Sequence, residues 1–199
     1  MRLWVIGTGA VALVVLLAGC GGGSGTACIS HGIKCENLPK HTIFRVNWVE
    51  NASVDGKPIA TFRVRTIEVG PDGFKIDASF TNTSPEVLKL PEGTARSPND
   101  FGLGVFVNAL PQRIQAAGNY LLKAQQIRPP LPATVAPGKT WSGTMTSDNP
   151  PRSSRSLRVL FGVFFWEGTP PYGLGPYFIW QTNHQVRSPE PVGSGSGSS

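Results

Sequence analysis

Charged side chains make up only 15% of the 199 residues, against roughly 25% in ordinary soluble domains. Acids are the scarcer sign: 12 Asp and Glu face 18 Lys and Arg, a formal net charge of +6. Low charge beside 40% hydrophobic residues, with ten Phe and five Trp, excludes disorder throughout the chain. Long stretches free of Pro and Gly are scarce too. The 18 Pro and 24 Gly stay below the roughly 25–30% share that marks low complexity. They still recur too often for a coiled coil or any long helix. Only the first residues carry a long apolar run, which excludes a polytopic membrane protein.

Catalytic frames are absent as well. No Ser sits in a Gly-x-Ser-x-Gly elbow. There is no His-Glu-x-x-His, no phosphate loop and no Gly-x-Gly-x-x-Gly. The three His stand at 31, 41 and 184. His184 falls on the expected last strand. As a general base it would need a nucleophile and an orienting acid nearby in space; a solvated or capped imidazole is the plainer reading. Asp55, Asp72 and Asp148 neighbour turn residues and read as turn formers. Asp148-Asn149 and Asn99-Asp100 offer oxygens to calcium, but neither has the odd-position repeat of a calcium loop. No metal and no cofactor is expected.

What is present begins with an address. Met1-Arg2 is followed by apolar and small residues from Leu3 to Ala18, short of the roughly 20 needed to span a bilayer. This reads as a secretory signal, residues 1–19. Leu17-Ala18-Gly19-Cys20 resembles the lipobox of bacterial lipoproteins, in which small residues admit the peptidase and the Cys thiol takes a diacylglycerol. Cys20 is therefore the expected lipidation site and first mature residue, and two acyl chains suffice for stable anchoring. Residues 20–36 form the expected tether, opening with the flexible run Gly21-Gly22-Gly23-Ser24-Gly25. The two remaining thiols, Cys28 and Cys35, are expected to pair as a disulfide outside the cytoplasm. A Cys-His-Cys metal site using His31 is the alternative, but it lacks a fourth ligand.

From Thr42 on, short apolar runs alternate with turn residues. Thr42–Glu50 alternates with period 2, as a half-buried strand does. Asn51–Pro58 reads as a loop. Phe62–Val69 is a strand whose apolar parity shifts, predicting a bulge or a switch of face. Pro71-Asp72-Gly73 is a turn into the cleanly alternating Phe74–Phe80. Further strands are expected over Val87–Leu90, Phe101–Val107, Tyr120–Ile127, Trp141–Thr146, Leu157–Trp166 and Tyr177–Arg187. Phe101–Val107, apolar with two glycines, is either a buried strand or one crossed closely by another backbone. Pro111–Gly118 suits one or two helical turns, and Pro129–Gly138 an extended connection. Eight or nine strands with turns every 8–12 residues predict an all-β sandwich or barrel over residues 37–187, with a disordered Gly/Ser tail over 188–199.

The succession Phe62–Val69, Pro71-Asp72-Gly73, Phe74–Phe80, Thr81-Asn82-Thr83-Ser84 resembles the immunoglobulin-like domains of bacterial extracytoplasmic lipoproteins. In that group a similar TNTS turn ends an early strand. A PGK turn, here Pro137-Gly138-Lys139, precedes a strand and then a hydrophobic one. The chain is similar to the domains of unknown function related to the actinobacterial immunoprotective extracellular protein. The resemblance implies an immunoglobulin-like antiparallel β-sandwich and an extracytoplasmic location, and it brings no catalytic residues. Pro111–Pro132 departs from the pattern as one long inserted loop region.

Two surface features remain. Trp166, Tyr172, Tyr177, Phe178 and Trp180 crowd into fifteen residues; most read as core, but Tyr172 sits mid-loop between prolines and glycines. A loop aromatic at a sandwich end suits contact with glycan or peptide. Arg152, Arg155 and Arg158 fall close together near one loop, and anionic headgroups or wall polymers suit such a cluster; simple solubility is the plain alternative. Tyr172, Arg152 and Arg155 are thus the candidate binding residues. The expected function is a lipid-anchored, non-enzymatic binding or scaffolding module on the extracytoplasmic face of a bacterial membrane. Its partners are membrane lipid through acylated Cys20 and an envelope protein or polymer; nucleic acid is not expected. A secreted hydrolase or enzyme accessory with dispersed site residues, and a structural spacer, are the alternatives.

Overall fold

A computed structural model describes residues 37–90, 100–107 and 119–191, with the backbone of 29–30 and 33–34. Two antiparallel sheets pack face to face, the sandwich rather than the barrel of the two architectures the strand count allows. Sheet one orders β3 (Thr42–Val54), β4 (Lys57–Gly70), β5 (Gly73–Asn82), β11 (Thr140–Ser147) and β9 (Gln126–Arg128) side by side. Sheet two is built around β12 (Ser156–Trp166). One edge of β12 is shared end to end by β7 (Phe101–Phe106) and β6 (Leu88–Lys89). Its other edge is shared by β14 (Val186–Arg187) and β13 (Tyr177–Gln181). β8 (Tyr120–Lys123) extends the sheet beyond β7, and β10 (Thr134–Val135) beyond β6. A separate two-stranded ladder joins β1 (Ile29–Ser30) to β2 (Ile33–Lys34).

The alternating sequence dictates the buried faces. Phe62, Val64, Ile67 and Val69 of β4 enter the core with Phe74, Ile76, Ala78 and Phe80 of β5. Phe101, Leu103 and Val105 of β7 meet them with Leu157, Val159, Phe161 and Phe164 of β12. Phe62 is the hub: its ring lies 4.7 Å from Phe161, 5.8 Å from Phe164 and 5.1 Å from Trp180. The parity shift in β4 is a bulge between Val64 and Thr66. Pro71-Asp72 makes the β4–β5 turn, with Gly70 paired to Gly73.

Three expectations need correction. Asn51–Pro58 is not a loop, because β3 continues to Val54. A tight turn of Asp55 (φ 49°) and Gly56 (φ 74°) takes the two left-handed conformations that a two-residue hairpin needs. Tyr120–Ile127 is not one strand. β8 pairs with β7 in sheet two, and β9 pairs with β11 in sheet one. The chain crosses at buried Ala124, whose N–H bonds Phe101 C=O at 2.7 Å; the N–H of Gln125 bonds Thr146 C=O at 2.8 Å. Tyr177–Arg187 is likewise broken into β13 and β14, so His184 lies on the irregular link between them.

Of the two glycines of β7, Gly102 is approached by backbone, and Gly104 by the side chains of Leu160 and Phe106. A Cβ on Gly102 (φ 152°) would lie 2.1 Å from Leu122 C=O. Ordered contacts also run past the expected end at Arg187. Ser188 is buried, its N–H bonds Arg155 C=O at 2.7 Å, and Pro191 bridges to Pro39. The expected helical turns at 111–118, the Gly/Ser run from 193 and the Cys20 lipobox lie outside the described residues.

Candidate functional site

The outward face of sheet one carries polar side chains on all five strands, with Ile43 and Val49 as exposed apolar residues on β3. Register aligns it into rows, since facing residues share a side of the sheet. One row runs Arg45–Thr66–Asp77–Thr144–Arg128 from edge to edge. The Thr66 hydroxyl donates to one Asp77 oxygen at 2.7 Å, and the Thr144 hydroxyl to the other at 2.8 Å. The next row toward the β3–β4 turn is Val49–Arg63–Ser79–Ser142, and the one after it Asn51–Thr61–Thr81–Thr140. There Thr61 donates to Asn51 at 2.8 Å, and the Thr81 and Thr140 hydroxyls share a bond at 2.7 Å. The β4 bulge adds a further cation to the face: Arg65 donates to the Ser142 hydroxyl at 2.9 Å.

The electrostatics follow. Arg45, Arg63, Arg65, Lys75 and Arg128 are exposed on this face. Asp77 and Glu68 are its acids. Burial disfavours the Asp77 carboxylate. The hydroxyls of Thr66 and Thr144 and the charges of Lys75 and Arg65 outweigh that and hold its pKa below the ordinary value. Glu68 is engaged by His41, with Nε2 to Oε1 at 2.7 Å. The uncommitted charge is therefore cationic, four guanidinium groups and the Lys75 ammonium, spread over about 19 Å at ~4.8 Å per strand.

At one end the face opens into a shallow groove of about 250 Å³ lined by His41, Glu68, Asp72, Lys75 and Ser147. A serine thus shares a groove with a His–carboxylate pair. Yet the Ser147 side chain is buried and accepts the N–H of Asn149 at 3.2 Å; no hydrogen bond joins it to His41.

A second polar cluster lies where edge strand β3 meets the β13–β14 link. Alternation turns Glu50 inward, and it is buried. Its carboxylate accepts the Asn183 N–H at 2.8 Å, the His184 N–H at 3.0 Å and the His184 ring Nδ1 at 2.7 Å. The exposed imidazole stacks on Trp48 at 5.4 Å. His184 therefore does meet an orienting acid, but no hydroxyl or thiol side chain bonds its ring among the described residues. Thr182 donates instead to its backbone carbonyl.

The three arginines read together in the sequence do not act together. Arg158 is 6% exposed and lies over Phe106, at 5.8 Å. It donates to Thr182 C=O at 3.1 Å. Burial pushes its pKa down, and the charge of Glu50 opposes that. Arg152 is exposed and Arg155 half-exposed, both near Tyr120, whose hydroxyl accepts the Arg152 N–H at 2.9 Å. Burial pushes that phenol up, against this bond and the two arginine charges.

Tyr172 sits in a 3-10 turn, Pro171–Gly173, with left-handed φ of 58°. It is half-buried, and the Lys57 ammonium stands 5.0 Å from its ring centroid. The loop is thus clasped to the end of the β3–β4 hairpin rather than held free. Cys20, Cys28 and Cys35 lie outside the described residues. Of the acids weighed and set aside as calcium donors, Asp148 accepts an amide of Gln125 and Asp100 pairs with Lys123. Among the described residues no group of three or more His, Cys, Asp or Glu is placed to hold a metal ion.

Sequence reading missed the row centred on Asp77. Arg45, Thr66, Asp77 and Thr144 fall in expected strands and Arg128 one residue beyond one, but their alignment depends on the order of five strands. No protein-family model, curated protein or solved structure matches the chain.

Proposed function

We propose that the chain is a lipid-anchored, extracytoplasmic binding module without catalytic activity, and that its contact surface is the outward face of sheet one. The observation that carries this reading is the row Arg45–Thr66–Asp77–Thr144–Arg128 within a field of further guanidinium groups and hydroxyls. Guanidinium donors in a fixed fork suit phosphate and carboxylate groups, and neighbouring hydroxyls add donors. The face is broad, and its free charge is of one sign. An anionic polymer of the cell envelope fits it better than a small molecule, which needs a concave site.

The lipobox-like Leu17-Ala18-Gly19-Cys20 and the glycine-rich stretch behind it support the anchor. A disulfide between Cys28 and Cys35 belongs to the same reading. Ile29 faces Lys34 in the short ladder, and the two Cys are the next residues outward in sequence. Thiol labelling of the exported chain with and without reductant tests it.

The function is tested by passing the full chain in detergent over immobilised polyphosphate and over an uncharged glucan. Retention on polyphosphate alone, lost as salt screens the charges, is expected. Equal behaviour on the two matrices overturns the reading.

A further inference from the structure

Among the described residues the sandwich guards its β3 edge and leaves its β13 edge unpaired. Edge strand β3 carries the usual safeguards against pairing with another chain. It has a bulge between Arg45 and Trp48, with Asn47 at φ 50°, and the inward-turned Glu50. β13 has none of these. Its sequence Tyr177-Phe178-Ile179-Trp180-Gln181 carries no charge and no Pro, and among the described elements it pairs with β12 alone.

Register shows what this edge offers. Trp166 N–H bonds Pro176 C=O at 3.4 Å, and Thr182 N–H bonds Val159 C=O at 2.9 Å. These bonds flank the facing pairs Phe165–Tyr177 and Leu160–Gln181, so neither pair bonds within itself. Val163–Ile179, two residues along, is of the same type. Tyr177, Ile179 and Gln181 therefore aim their N–H and C=O groups away from β12, at the open edge. The outward side chains are apolar too. Ile179 is 57% exposed, Tyr177 52% and Phe165 36%, with the Phe165 and Tyr177 rings 5.8 Å apart.

We propose that β13 is a homodimer interface: two copies of this chain pair antiparallel through β13 about a two-fold axis at Ile179. That register sets Ile179 against Ile179 and Tyr177 against Gln181 on either side of it. Each of the three facing pairs exchanges two backbone hydrogen bonds, so every N–H and C=O that β13 presents at its edge gains a partner. The strand satisfies itself, and its apolar face continues into that of the second copy. The pairing also avoids charge: the chain carries +6, so copies repel through most other surfaces, whereas β13 brings no cation to the contact. One strand buries less than the roughly 800 Å² per partner of a standard interface. Two copies tethered in one membrane, as the reading above holds, meet at a raised effective concentration that makes a small interface sufficient.

The test is energy transfer between donor- and acceptor-labelled copies of the full chain, reconstituted together in uncharged lipid vesicles. Transfer above random mixing is expected, falling to the random level in Ile179→Lys and unchanged in Val107→Lys, an exposed apolar position just past β7. Tyr177→Lys gives the same reading should Ile179→Lys not fold. Wild-type transfer at the random level overturns the proposal, as does transfer that survives Ile179→Lys and Tyr177→Lys. The vesicles hold no polyanion, so failure here is distinct from failure of the proposed binding face.

Discussion

Asp77 is a central acid on a cationic surface, held by two hydroxyls. Its folded pKa lies below the ordinary 3.8, so it stabilises the fold above that pH and the contribution is lost as pH falls through the lower folded value. Asp77→Asn should therefore cost on the order of 1 kcal/mol at pH 7. The deficit against wild type should shrink below about pH 3–4. Melting curves at both pH values check this. The same change removes a negative charge from the proposed face, so polyphosphate retention should strengthen while stability falls.

Tyr172 and Trp166 separate in the same way. Trp166 is buried against Phe178 and donates from its indole to Gly175 C=O at 3.2 Å. Trp166→Ala should cost about 3–5 kcal/mol. Tyr172→Ala should cost only about 0.5–1 kcal/mol, the worth of an exposed cation–π contact. Thermal denaturation of both variants decides; equal losses would make Tyr172 a core residue.

At the scale of elements, two junctions hold the sandwich together. Gly102 lets β8 cross against β7, because a Cβ there would meet Leu122 C=O at 2.1 Å. Gly102→Ala should cost more than about 1–3 kcal/mol, since backbone must move and the left-handed φ stays strained. Loss of amide-exchange protection in β8 before the rest of sheet two is the expected signature. Glu50 pins β3 to the β13–β14 link through three hydrogen bonds. Glu50→Ala leaves two backbone N–H groups and Arg158 without its charge, at about 3–5 kcal/mol, measurable by urea denaturation.

These junctions mark where the sequence stops being legible. Alternation in Phe74–Phe80 and the parity break in β4 were read directly, because side-chain period and bulges are local properties. Asp55-Gly56 was local too, and was passed over because β3 beyond Glu50 looks polar. The break at Ala124 was not readable: nothing in Tyr120–Ile127 tells one continuous strand from two strands in different sheets. For the same reason Arg45 and Arg128, 83 positions apart in sequence, could not be seen to share a row, nor Glu50 and His184 to share a hydrogen bond.

The whole molecule is two-sided. One sheet presents arginines and hydroxyls, and the other presents an apolar, uncharged edge. The arginines at Arg152 and Arg155 form a separate, smaller basic site on the β11–β12 loop, beside Tyr120. Charge reversal distinguishes the two basic regions at equal cost in net charge. The full chain carrying Arg45→Glu with Arg128→Glu, and the full chain carrying Arg152→Glu with Arg155→Glu, should be compared with wild type for retention on polyphosphate at one salt concentration. The account predicts that the Arg45/Arg128 variant loses retention by tenfold or more, about 1.4 kcal/mol, while the Arg152/Arg155 variant keeps most of it. Loss confined to the Arg152/Arg155 variant, or equal loss in both, would contradict the assignment of binding to the sheet-one face.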